Sequence, residues 1–137
     1  MSYRRVAYIA LGSNLGDRIK NIEVACHELD RSGLKVLRTS HLYETKPMYV
    51  EDQASFINGV CAVGVGEQLD SHELLQQLKN IEDGMGRVKI QDKGPRNIDL
   101  DILLDGTNQV KTQQLEIPHK LMLEREFVLR PLCKYVK

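Results

Sequence analysis

The sequence predicts an α+β domain with a ferredoxin-like βαββαβ core: a mixed, mostly antiparallel sheet with helices packed on it. Four runs read as strands, two carry apolar residues at helical spacing, and their order along the chain is strand, helix, strand, strand, helix, strand. The chain has 137 residues, 42% of them hydrophobic and 28% charged, enough for one domain with a self-sufficient core over residues 1–137.

The first run, "RVAYIALGSN", reads as a central strand that leaves into a loop at Gly12, Ser13 and Asn14. From Asp17, a suitable helix cap, Ile19, Ile22, Ala25, Cys26 and Leu29 fall on one helical face, and Gly33 stops the helix. "LKVLRTSHLYET" alternates as a second strand ending before Pro47, and "SFINGVCAVGVG" reads as a third whose glycines permit close backbone approach. Asp70 opens a second helix with Glu73 placed for a capping box. Its buried stripe is Leu74, Leu75, Leu78, Ile81 and Met85, broken by Gly84 and Gly86. A charged loop, Arg87 to Asn97, leads into the strand "IDLDILL" and a turn at Asp105-Gly106; "LEIPHKLMLEREFVLRPL" reads as a short helix and an edge strand.

Composition excludes several functions. Nineteen basic and nineteen acidic side chains cancel, against the basic excess of a generic nucleic-acid binder. Cys26, Cys61 and Cys133 are dispersed and odd in number. They fit neither a zinc site nor a disulfide framework, and read as small core residues in a reducing compartment. The N-terminus lacks signal-peptide architecture and its apolar stretch is too short to span a bilayer, so a cytoplasmic location without membrane partners is expected.

The informative motif is "GPRNIDLDILLDG". On a strand, Asp99 and Asp101 point to the same face, about 7 Å apart along the chain, while Leu100 and Ile102 point into the core. Two in-phase carboxylates repel unless a cation lies between them, and a hard oxygen-seeking ion, Mg²⁺ above all, fits. Arg87, Lys89, Lys93 and Arg96 precede the strand, with His119 and Arg125 downstream. Beside a metal-binding pair these cations form the frame of a polyphosphate site, in which guanidinium groups donate to phosphate oxygens. There is no P-loop and no Rossmann fingerprint; "GMGRVK" follows a helix instead of opening one.

Four stretches, "YIALGSNLGDR", "TKPMYVEDQASFINGV", "GRVKIQDKGPRNIDLDILL" and "IPHKLMLEREFVLRPL", occur in the order found in 6-hydroxymethyl-7,8-dihydropterin pyrophosphokinases of folate synthesis. The chain resembles that family from about Tyr8 to Leu132. The resemblance implies pyrophosphoryl transfer from MgATP to the hydroxymethyl group of the dihydropterin, with release of AMP. It implies that Asp99 and Asp101 hold two Mg²⁺ ions and that Arg87 and Arg96 act with them in catalysis and contact the triphosphate. His119 and Arg125 would also face ATP, Glu82 would serve as an acid of the substrate site, and Leu75 and Ile102 would line the adenine pocket. For the pterin it implies a sandwich between Phe56 and Phe127, with Asn58 reading the ring edge and backbone groups near Thr45, Lys46 and Met48. Where bacterial members commonly have a tryptophan before G-P-R this chain has Lys93, and an arginine often found before I-P-H is Gln114 here. The chain also stops soon after "FVLRPL". It is expected either to stand alone or to be one domain of a multifunctional folate enzyme beside dihydroneopterin aldolase or dihydropteroate synthase.

Two alternatives differ in class. A ferredoxin-like RNA-binding module needs stacking aromatics and a basic surface, against 5% aromatic residues and zero net charge here. A degenerate homologue would bind MgATP without transferring anything; intact Asp99, Asp101, Arg87, Arg96 and His119 argue against it.

Overall fold

The computed structural model describes residues 4–45, 55–86 and 97–119. The elements are β1 (Arg5–Ser13), α1 (Arg18–Arg31), β2 (Lys35–Thr39), β3 (Tyr43–Thr45), β4 (Phe56–Val65), α2 (Ser71–Gly84), β5 (Asp99–Asp105), β6 (Val110–Lys111) and β7 (Glu116–Ile117). The sheet runs β2-β4-β1-β5, with β3 also on β4, and β6 and β7 form a separate hairpin.

Every pairing among the described residues is antiparallel, where the sequence led us to expect a mixed, mostly antiparallel sheet. The order explains the difference. Each helical crossover joins strands with another between them: β4 separates β1 from β2, and β1 separates β4 from β5. The parallel strands are therefore never neighbours.

Local chemistry sets the helix ends. The Asp17 carboxylate accepts the Lys20 amide N–H at 3.2 Å, and Asp70 and Glu73 form the reciprocal capping box. The turn after α1 needs a positive φ, which Gly33 supplies at 99°. Ile19, expected in the buried stripe, is 51% exposed; the buried face of α1 starts at Ile22 and continues through Ala25 and Leu29.

The expected single second strand is two. Ser40 interrupts it: its hydroxyl accepts the Val60 N–H at 2.9 Å and donates to the His41 carbonyl at 2.8 Å. A side-chain oxygen thus takes a place in the ladder that backbone would otherwise fill. β1, by contrast, continues through Gly12 and Ser13, which pair with Asn58 and Ile57.

Ala7, Ile9 and Leu11 of β1, Cys61, Val63 and Val65 of β4, and Leu100 and Ile102 of β5 face the helices and meet Ile22, Leu29, Leu74 and Leu78. Tyr8 and Ala10 alternate onto the other face with Val60, Leu103 and Leu104. A bulge at Leu103 resets the phase of β5, because pairing jumps from Ile9↔Ile102 to Tyr8↔Leu104. Asp105 thereby turns inward and is fully buried. It accepts from Arg5 Nε at 2.5 Å and from the Ser71 hydroxyl at 2.7 Å, while Arg5 also donates to the Leu69 carbonyl at 2.7 Å. A buried carboxylate so paired ties the end of β5 to the start of α2.

Candidate active site

The two aspartates lie on the face of β5 that the helices leave uncovered. Leu100 and Ile102 are buried, 4% and 2% exposed, while Asp99 is half-buried and Asp101 exposed. Register carries the site across the sheet. Gly12 lies between Asn58 and Asp99, and Ala10 between Val60 and Asp101. Side chains on one rung share a face and neighbouring strands are about 4.8 Å apart. Two small residues thus make a shallow floor about 10 Å wide between the Asn58 amide and the aspartates.

Among the described residues β5 is the end strand on this side, so its outward amides need partners beyond those strands. Glu82, on the last turn of α2 and only 4% exposed, accepts the Leu100 N–H at 2.7 Å. Antiparallel geometry alternates, so Ile102 also turns its N–H and C=O away from β1. Asn97 fixes the entrance to the strand. Its side-chain nitrogen donates to the carbonyls of Met85 and Gly86 at 3.0 and 3.1 Å, and its oxygen accepts the Ile98 N–H.

Beyond this edge lies a cleft of about 230 Å³, lined by Leu75, Asp101, Ile102, Thr112, Gln113, Gln114, Leu115, Glu116 and His119. The β6–β7 hairpin closes one side; Thr112 and Leu115 link its ends by a backbone hydrogen bond of 2.8 Å. After a cis Ile117–Pro118 peptide, the His119 N–H donates to the Leu103 carbonyl at 3.0 Å, which anchors His119 to the bulge of β5.

On the other side of the floor, Asn58 Nδ2 donates to Thr45 Oγ1 at 2.8 Å. This fixes the amide, and a Cβ added at Gly12 would lie 3.3 Å from Asn58 Oδ1 and 3.7 Å from the Phe56 ring. The ends of β3 and β4 are tied together from α1. Arg18 donates to Glu44 at 3.2 Å, to the Ser55 carbonyl at 2.8 Å and to the Ser55 hydroxyl at 2.9 Å. The Ser55 hydroxyl also bonds Glu44. That bond, and then Arg18, hold the Glu44 carboxyl below its usual range.

The structure therefore gathers Leu75, Asp101, Ile102 and His119 around one cleft, and Thr45, Phe56 and Asn58 at the opposite end of the floor, with Asp99 on the rung it shares with Gly12 and Asn58. Glu82 stands behind β5 on the Leu100 amide and is not among the residues lining the cleft. Arg87, Arg96, Arg125, Lys46, Met48 and Phe127 lie outside the described residues. Sequence reasoning missed Ala10 and Gly12 as the floor and Thr112 to Glu116 as a wall. The signal for the first was the two-residue spacing Tyr8, Ala10, Gly12; the short hairpin carried none.

A family model described as 7,8-dihydro-6-hydroxymethylpterin-pyrophosphokinase (HPPK) matches residues 8–137. The chain belongs to the HPPK family. An HPPK-family relative in Bacillus subtilis, named 2-amino-4-hydroxy-6-hydroxymethyldihydropteridine pyrophosphokinase, is 44% identical over 130 residues, covering 94% of this chain and 77% of its own. The folic acid synthesis protein fol1 of Pneumocystis carinii is 53% identical over 125 residues, covering 91% of this chain but 17% of that protein. This HPPK chain thus spans about a sixth of that longer relative. A crystal structure of a Plasmodium falciparum HPPK-DHPS triple mutant with pteroate superposes with a TM-score of 0.66 at 18% identity, over 91% of this chain and 38% of that one, a likeness of fold. Among the described residues of this HPPK chain, no helix is long and apolar enough to cross a membrane.

Proposed function

We propose that this chain transfers pyrophosphate from MgATP to the hydroxymethyl group of 6-hydroxymethyl-7,8-dihydropterin, giving the pterin diphosphate and AMP. The observation that carries the reading is the floor of Gly12 and Ala10, which has a fixed amide at one end and the carboxylates Asp99 and Asp101 at the other. A bicyclic ring bearing one CH₂OH spans about that 10 Å width, so a pterin held at Asn58 brings its hydroxyl to the aspartates.

ATP would enter the cleft beyond β5. Leu75 and Ile102 offer apolar walls, and the outward N–H and C=O of Ile102 match the acceptor and amino donor on the adenine edge. His119 and Asp101, on the same cleft, would sit along the polyphosphate. Arg87, Arg96 and Arg125 are assigned to it from the family pattern. Asn58 would read the pterin edge, with Phe56 and Phe127 on its faces and Thr45, Lys46 and Met48 alongside.

Asp99 and Asp101 fit Mg²⁺. Among the described residues no third His, Cys, Asp or Glu joins them in a metal-binding cluster, and Mg²⁺ is commonly held by one or two carboxylates with phosphates and waters completing the shell. When bound, the ions, two in this reading, neutralise phosphate charge and polarise the phosphorus for in-line attack. The protein's share is positional. Asp99 and Asp101 orient the carboxylate oxygens, Glu82 holds the strand between them, and His119 with the arginines stabilises charge on the leaving AMP. The reading also allows for fusion to another folate enzyme, as the long relatives have.

The test is AMP release from ATP that requires 6-hydroxymethyl-7,8-dihydropterin, followed with radiolabelled ATP. Pterin-independent ATP hydrolysis, or ATP binding without turnover, would overturn the reading.

A further inference from the structure

The pterin end of the floor depends on a short strand. β3 has three residues, and among the described residues it pairs with β4 alone, so little ladder resists fraying. Yet Thr45, its last residue, accepts from Asn58 Nδ2 at 2.8 Å. That bond sets the rotation of a buried amide and leaves Asn58 Oδ1 beside Gly12, 3.3 Å from where a Cβ would stand.

The strand is held from behind. Side chains alternate along β3. Tyr43 and Thr45 share the floor side with their partners Asn58 and Phe56, whereas Glu44 pairs with Ile57, whose side chain belongs to the helix-side core. Arg18, the first residue of α1, meets Glu44 there. Its Nη1 donates to Glu44 Oε2 at 3.2 Å, to the Ser55 carbonyl at 2.8 Å and to the Ser55 hydroxyl at 2.9 Å, and that hydroxyl donates to Glu44. One guanidinium nitrogen thus joins the end of β3 to the residue before β4.

We propose that Arg18 is a positioning residue for the pterin: through Glu44 and Ser55 it keeps Thr45 in register, and Thr45 keeps the Asn58 amide turned for the ring edge. Arg18 acts from the helix side of the sheet, opposite the floor. This role rests on the proposed pyrophosphokinase reaction. Without the clasp the ends of β3 and β4 loosen, the amide has to be ordered as the ring arrives, and that ordering weakens pterin binding.

The test is calorimetric titration of 6-hydroxymethyl-7,8-dihydropterin into the chain holding a non-hydrolysable MgATP analogue, beside steady-state kinetics. In Arg18→Ala the pterin Kd and KM should rise roughly threefold to tenfold, the scale of one or two lost hydrogen bonds. The kcat at saturating pterin, and the affinity for the analogue titrated without pterin, should stay near parental. A lysine ammonium keeps three donors without the planar fork, so Arg18→Lys should recover part of the loss. In a Thr45→Val background, Arg18→Ala should add little, because the link it acts through is already cut. A fold-wide defect would instead lower kcat and analogue affinity as well, and would overturn the assignment. Glu44→Ala opens the clasp from its other end and decides the case if Arg18→Ala does not fold. Parental pterin binding with equal affinity in the clasp variants would overturn this role alone; a parent chain that binds no pterin would overturn the reaction and this role with it.

Discussion

The carboxylate of Glu82 accepts the backbone N–H of Leu100 at 2.7 Å, and Leu100 is the one residue between Asp99 and Asp101. A helix thus holds the strand at the point where the two carboxylates emerge. Glu82→Ala should leave the Leu100 amide unpaired in the interior, with an expected loss of about 1–3 kcal/mol in urea denaturation. Glu82→Gln keeps a carbonyl acceptor and should recover most of that loss. Mn²⁺ affinity in the presence of an ATP analogue, read by paramagnetic resonance, should weaken in the alanine variant more than in the glutamine one. Equal stability in both would mean that this hydrogen bond does not hold the strand.

Asp99 and Asp101 contribute little to the core, since one is half-buried and the other exposed. Their alanine variants should therefore unfold at close to the parental temperature. Turnover should drop by roughly a thousandfold or more, the scale of losing several kcal/mol of transition-state stabilisation. Chelation with EDTA should abolish parental activity, and added Mg²⁺ should restore it. Near-parental turnover in either variant would remove that carboxylate from the mechanism.

Much of this was legible in the sequence because it rests on local rules. The Asp70–Glu73 capping box, the Gly33 stop and the in-phase Asp99 and Asp101 follow from residue type and spacing. What escaped depends on partners far along the chain. Ser40 splits a strand through a bond to Val60, twenty residues away. Leu103 bulges because of its pairing with β1, and only that bulge turns Asp105 inward to Arg5, a hundred residues away. Gly12 and Ala10 become a floor only once β4 and β5 flank β1. The outward amides of β5 likewise depend on which strand lies at the edge, and alternation alone does not say.

The Arg18–Glu44–Ser55 clasp gives a pH signature. Glu44 has its carboxyl lowered by the Ser55 hydroxyl and then by Arg18, relative to an ordinary value of 4.5. A carboxyl lowered in the folded state stabilises the fold above its unfolded value and loses that contribution as pH falls through the folded one. The stability gap between the parent chain and Glu44→Gln should therefore be constant at neutral pH and shrink below 4.5. The pair is exposed, so the gap should be small and reduced further by salt. Urea midpoints for both chains across that range measure it, and a gap that widens on acidification would contradict the assignment.

Gly12 offers the sharpest test of the floor. It is paired with Asn58 on one side and Asp99 on the other, and a methyl there would stand 3.3 Å from Asn58 Oδ1 and 3.7 Å from the Phe56 ring. Gly12 is not among the glycines with positive φ, so Gly12→Ala introduces no forbidden backbone and the chain should fold. The Asn58 amide can yield to the methyl only by disturbing its 2.8 Å bond to Thr45. A flat ring seated on the floor would be lifted in the same way. The pterin KM should rise roughly tenfold, equivalent to about 1.4 kcal/mol. The ATP KM should stay near parental, because the cleft proposed for ATP lies beyond the far edge of β5. Steady-state kinetics with each substrate varied in turn separates the two effects. A shift in the ATP KM alone would place the nucleotide, and not the pterin, over Gly12.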